Sequence, residues 1–169
     1  MDMTSQSRDR LRVPRISPPG PASVAVMPIR SGSARWQGNL TEGSGTVRTG
    51  KGGLQGNYSF KSRFEEGEGT NPEELIGAAH AGCFSMAFSK ALSDAGFTPT
   101  SVDSTATVHM GQTDAGFSVT RIDLETTGDV PGIDEPTFLK IAEEAKANCP
   151  ISRLLAPGVQ EITLSAKLA

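Results

Sequence analysis

The sequence predicts an α+β domain, and three observations carry that prediction. Short strand-like segments separated by glycine-rich turns come first, then one long helix that is small or apolar on every face, then strand, strand, helix and strand. The resulting β-β-β-α-β-β-α-β order argues against a doubly wound parallel sheet, in which strands and helices alternate throughout. At 169 residues the chain has room for one hydrophobic core and not for two full domains.

Residues 1–26 stand apart. They combine Arg8, Arg10, Arg12 and Arg15 with Pro14, Pro18, Pro19 and Pro21 and show no apolar periodicity, which predicts a disordered extension. No apolar stretch follows the arginines, so a secretory signal is not expected, and a cytoplasmic protein is. An organelle transit peptide is the lesser alternative, and Met27 is a second candidate start. The folded domain is expected over residues 27–169. A formal net charge of −3 gives no electrostatic case for a nucleic-acid partner, and no unbroken apolar run approaches the length of a bilayer span.

The first strands are expected at Ala34–Leu40, Gly45–Thr49 and Gln55–Phe60, the last two separated by the turn Gly50-Lys51-Gly52-Gly53. Glu65 to Thr70 reads as a charged, solvated loop. The long helix begins at an N-cap, Thr70 or Asn71, with Pro72 in the first turn and Glu73 and Glu74 facing the positive helix end. It runs to about Ala95, where Gly96 stops it. Strands follow near Val102–Met110 and Phe117–Thr127, the second with an ambiguous register. A helix over Pro136–Asn148 places Phe138, Ile141, Ala142 and Ala145 on one side, a short turn follows at Ser152–Leu155, and Glu161–Leu168 closes the fold.

The long helix carries the chemistry. Leu75 to Phe88 offers no polar face, so the helix must be surrounded, and one other substantial helix cannot enclose it. A homodimer in which two copies share a core is therefore expected. Gly77 and Gly82 each cost roughly 0.5–1 kcal/mol of helix stability relative to alanine, which close packing would explain.

Cys83 lies on this helix and Cys149 lies just after the next one; the two are either unrelated core thiols or one redox pair. A buried thiol stays protonated unless a cation sits beside it. Arg63 is the nearest candidate, placed at the end of the third strand, and Glu73 would hold its guanidinium in a fork-to-carboxylate pair. His80, three residues before Cys83, is a rival activator or a hydrogen-bonded core histidine. Ten residues of straight helix separate Glu73 from Cys83 by about 15 Å. One arginine does not span that distance, so the helix bends or starts late, or Glu73 acts across the dimer. Cys149 precedes Pro150 on a helix-terminal turn, where a thiol moves more easily than in mid-helix, as a resolving thiol must. A zinc site from Cys83, Cys149, His80 and His109 has no ligand spacing to support it, and Trp36 and Tyr58 are read as sheet packing.

Two motifs add a resemblance. Gly69-Thr70-Asn71-Pro72-Glu73-Glu74-Leu75-Ile76-Gly77-Ala78-Ala79-His80-Ala81-Gly82-Cys83-Phe84-Ser85-Met86 and Ala145-Lys146-Ala147-Asn148-Cys149-Pro150-Ile151-Ser152 resemble the two cysteine segments of the osmotically inducible protein C / organic hydroperoxide resistance (OsmC/Ohr) family, on its OsmC side. The resemblance extends from about Ser33, through Trp36-Gln37-Gly38 and Gly43-Ser44-Gly45-Thr46-Val47, to the C-terminus, and leaves residues 1–26 without a counterpart. It implies an intertwined homodimer with antiparallel sheets wrapped around long central helices, and active sites at the subunit interface. It implies a thiol peroxidase for organic hydroperoxides, without metal, haem or other cofactor, reset by a dithiol of lipoyl type. Cys83 then matches the peroxidatic thiol, Cys149 the resolving thiol and Glu73 the carboxylate that holds the arginine. Arg63 is that arginine, with Arg35 and Arg48 as alternatives. Leu75, Ile76, Phe84 and Phe88 would wall an apolar substrate pocket. The rival reading is a non-catalytic stress-response or ligand-binding module with a structural disulfide.

Overall fold

Glycines and side-chain-closed turns divide the first third of the chain into a three-stranded meander in the computed structural model, which describes residues 28–169. The extension expected over residues 1–26 lies outside the described residues. Strands β1 (Gly32–Gln37), β2 (Ser44–Thr49) and β3 (Gln55–Ser59) pair antiparallel in sequence order. β1 ends before the expected Leu40 because Gly38 turns with φ +90° and the Asn39 side chain accepts the N–H groups of Thr41 and Glu42. Gly45 is required here: a Cβ would meet the Tyr58 ring at 2.4 Å, where Tyr58 tilts against Trp36 with centroids 5.2 Å apart.

The third strand does not run into Arg63 as expected. Ser59 and Ser62 cap each other's backbone N–H at 3.1 and 2.9 Å, and this reciprocal cap starts helix α1 (Phe60–Phe64) instead. Helix α2 (Pro72–Asp94) then begins as the sequence indicates, with Asn71 accepting the Glu74 N–H at 2.8 Å, and continues unbroken for 23 residues. It is long and apolar enough to cross a membrane by length and composition, yet Phe84, Phe88 and Leu92 on one face are fully buried in the core.

That face seats on strand β4 (Ser101–Thr113), which forms a long antiparallel hairpin with β5 (Gly116–Asp129). Gly77 explains itself here, because a Cβ would lie 2.7 Å from the Ala106 carbonyl oxygen. Gly82, by contrast, has open space around it in the protomer. The β5 register is settled with Ile122, Leu124 and Thr126 inward. Helices α3 (Glu135–Asn148) and α4 (Pro150–Leu155) carry the chain back to strand β6 (Glu161–Leu168), which pairs with β5 in parallel. The expected purely antiparallel sheets are therefore corrected to one antiparallel sheet and one mixed sheet; a helical crossover is the connection that parallel neighbours require. Phe88 meets Phe138 edge-on at 5.0 Å in the centre of the core, each such ring contributing about 1.5–3 kcal/mol by burial. Ser31–Ala169 forms one compact unit.

Candidate active site

The geometry of the site follows from where two helices start and stop. Pro150 cannot continue α3, so the chain turns at Cys149, which caps both the end of α3 and the start of α4. This turn lies against the middle of α2, and Cys149, fully buried, meets Cys83 thiol to thiol; both cysteines are free. The redox-pair reading thus acquires the juxtaposition that spacing alone left open.

The two thiols are shifted in opposite directions, and against expectation. Burial pushes the Cys83 thiol up, the Ile151 N–H draws it partly down, and the neighbouring Cys149 raises it again, so it lies above an ordinary cysteine. Burial also acts upward on Cys149, but the N–H and hydroxyl of Ser152, the Cys83 thiol and the Ile151 N–H outweigh it and bring Cys149 below the ordinary value. Within one protomer the surroundings therefore act downward on Cys149 and upward on Cys83. Among the described residues no guanidinium contributes to the Cys83 environment.

Arg63 and Glu73 do form the expected fork. Arg63 Nη2 donates to Glu73 Oε1 at 2.7 Å and Nε donates to Oε2 at 3.2 Å, while the guanidinium lies 5.2 Å from the Phe64 ring centroid. Because α2 is unbroken from Pro72 onward, this pair stands about three turns, or about 15 Å, from Cys83 along the axis. A late helix start is excluded; in its own protomer Arg63 is not the partner of Cys83. Beside Arg63, Trp36, Leu40, Tyr58, Phe60 and Phe64 line a cleft of about 220 Å³. Trp36 and Tyr58 pack on one another on the sheet, as read from the sequence, and also line this cleft.

The apolar residues expected to wall the pocket are divided. Phe84 and Phe88 are fully buried and pack with one another and with Phe138, so they are core residues and not accessible walls in the protomer. Ile76 is half-buried on α2, whereas Leu75, with Val47, Leu54, Ala78 and Ala79, lines an open apolar groove of about 560 Å³. His80 is fully buried and its Nε2 lies 2.7 Å from the Ser152 hydroxyl. Of the two readings offered for it, the geometry fits the hydrogen-bonded core histidine. Sequence reasoning missed Ser152 and the Phe60/Phe64 pair; the only signals were a serine three residues after Cys149 and two aromatics flanking Arg63. No cluster of three or more metal-ligating side chains occurs among the described residues.

Two facing thiols on a mixed α+β scaffold, with an arginine–glutamate fork joining α1 to the first turn of α2, define a two-cysteine redox protein. Residues 65–164 match the family model for OsmC-like protein. The chain is 54% identical over 140 residues to "Peroxiredoxin OsmC" of Escherichia coli (strain K12), covering 82% of this chain and 96% of that protein. It is 32% identical over 100 residues to "Organic hydroperoxide resistance protein" of Xanthomonas axonopodis pv. citri (strain 306), covering 59% of this chain and 68% of that protein. The crystal structure of organic hydroperoxide resistance protein OhrB of Bacillus subtilis shares the fold, with a TM-score of 0.63 at 18% identity, over 80% of this chain and 97% of that one. This chain belongs to the OsmC-like protein family.

Proposed function

We propose that this cysteine-based peroxidase reduces organic hydroperoxides to alcohols through Cys83 and Cys149. The observation that carries the reading is the thiol-to-thiol contact of half-buried Cys83 with buried Cys149, joined to membership of the OsmC-like family. The Cys83 thiolate attacks the distal peroxide oxygen, the O–O bond breaks, and the alcohol leaves with a proton; Cys83 becomes a sulfenic acid. Cys149 attacks the sulfenic sulfur, giving a Cys83–Cys149 disulfide and water. A dithiol of lipoyl type restores both thiols as it becomes a disulfide itself.

The working form is a homodimer. Ala78, Ala79, Gly82 and Met86 leave one apolar face of α2 exposed, and Met86 is 76% accessible, a large apolar surface for a lone protomer to show. A second copy covers this face and brings its own Arg63–Glu73 fork to Cys83. That supplies the missing cation, lowers the Cys83 thiol, and aligns the peroxide. The aromatic cleft beside Arg63 receives the hydrocarbon part, so apolar hydroperoxides are favoured over hydrogen peroxide. The protein acts in the cytoplasm on a small-molecule peroxide, without nucleic acid, membrane or cofactor.

Consumption of cumene hydroperoxide and of hydrogen peroxide by the purified protein tests the reading. Faster turnover of the organic peroxide, lost in Cys83→Ser, is expected. Activity that persists in Cys83→Ser overturns it.

A further inference from the structure

The β4–β5 hairpin does not run straight to its tip. His109 pairs with Arg121 and Met110 with Val119, so Thr120 has no opposite number and the ladder bulges there. A bulge bends its strand and re-aims the side chains beside it. The tip reaches α1 in two contacts. The Phe117 ring lies 5.9 Å from the Phe64 ring, and Met110 Sδ lies 4.0 Å from Arg63 Nη2. Met110 is half-buried, so part of it stays accessible. Glu73 already holds Nε and Nη2 of this guanidinium, which leaves Nη1 as its open end among the described residues.

A leucine would fill the space that Met110 fills. A thioether adds two properties: it is a weak acceptor for the guanidinium, and a peroxide oxidises it. The second property changes the first. A sulfoxide is polar where the thioether is apolar, and its oxygen accepts charge-assisted hydrogen bonds from an arginine. The contact partner of Arg63 is therefore one that its own substrate class can convert from a weak ligand into a strong one.

Resting on the proposed hydroperoxide chemistry, we propose that Met110 is a modification site, oxidised by organic hydroperoxide and then restraining Arg63. A hydroperoxide aligned on Arg63 lies beside the Met110 sulfur, which touches the same guanidinium. A sulfur lone pair takes the distal oxygen and the O–O bond breaks. The alkoxide leaves with the bonding pair and takes up the proton that the distal oxygen carried. The products are an alcohol and methionine sulfoxide; sulfur loses two electrons, the peroxide gains them, and no other reactant is needed. Arg63 stabilises the alkoxide as its charge develops. A cysteine thiolate is the stronger nucleophile, so Met110 reacts once Cys83 and Cys149 have closed into their disulfide. The sulfoxide oxygen then accepts from Arg63, competes with the peroxide for its N–H groups, and slows turnover until the sulfoxide is reduced.

Two measurements on the full-length protein test this. In the thiol-free variant Cys83→Ser/Cys149→Ser, cumene hydroperoxide is added with N-acetylmethionine amide in the same tube, and mass spectrometry follows the added oxygen. Met110 is expected to oxidise about fivefold or more faster than the free amide, and Arg63→Gln to remove that excess. Oxidation no faster than the free amide overturns the proposal, as does an excess that survives Arg63→Gln. The free-amide comparison decides alone if circular dichroism shows that Arg63→Gln does not fold. In the wild-type chain, excess cumene hydroperoxide is followed by dithiothreitol, which reopens the disulfide and leaves a sulfoxide in place. Turnover is then expected to be about fivefold lower, while Met110→Leu treated alike keeps most of its activity. Over-oxidation of Cys83 would disable both chains, so an equal loss in Met110→Leu overturns the proposal. Full turnover with Met110 oxidised, or a Met110 that stays unoxidised, overturns it too. A wild-type chain without any peroxide turnover counts against the peroxidase reading alone, and the thiol-free measurement then judges Met110.

Discussion

The two sheets of the protomer have opposite characters. The sheet of β4, β5 and β6 closes with α2 and α3 around Phe84, Phe88, Leu92, Leu124 and Phe138, all fully buried. The sheet of β1, β2 and β3 buries no residue below the level of half-burial along any strand. The sulfur pair sits in the finished half, and Arg63 follows directly from the unfinished one. The proposed chemistry draws on both, and in that proposal a second copy brings them together.

The comparison can be broken or sharpened at several points. Replacing Cys83 with serine in the finished half removes the proposed nucleophile, and organic hydroperoxide turnover is expected to fall by about a thousandfold or more, read as peroxide consumption. Phe88→Ala should cost about 3–5 kcal/mol in urea unfolding, because the ring is enclosed and its site cannot collapse. Arg63→Met, at the end of the unfinished half, is expected to lower kcat/KM for cumene hydroperoxide by about a hundredfold. Its melting temperature should barely move, since half-exposed ion pairs contribute about 0–1 kcal/mol. If Arg63→Met retains full activity, the division of labour between the halves is wrong. Asn71→Ala removes the cap that starts α2 and should cost about 1 kcal/mol.

The smallest effect concerns pH. Burial holds the folded His80 pKa below the value of about 6.5 of an unfolded chain, so the unfolded state binds the proton more readily. Stability is then fully present above that pH and declines as pH falls below it. Urea melts at neutral and mildly acidic pH should show this decline, and His80→Gln should flatten it.

Much of this was legible in the sequence where the signal is local. Asn71-Pro72 followed by two glutamates marks a helix start by itself, and the Arg63–Glu73 fork was expected from charge and proximity. Helix α1 was missed because its Ser59–Ser62 cap lacks the usual glutamate or glutamine at the third position. The assignment of Phe84 and Phe88 to a pocket failed for a different reason: a helix apolar all round does not reveal which face its own chain covers. Both the parallel pairing of β6 with β5 and the contact between His80 and Ser152 join segments far apart in sequence, where no local pattern reports them.

The continuity of α2 makes it a ruler as well as a scaffold. Between Glu73 and Cys83 it sets both a length and an angular phase, and each residue contributes about 1.5 Å and about 100°. Deleting one residue in this interval would swing the sulfur a quarter-turn or more away from Cys149, whereas a surface loop tolerates the same deletion. Length variation in this chain is therefore barred from the nine positions between Glu73 and Cys83, however small and interchangeable their side chains look.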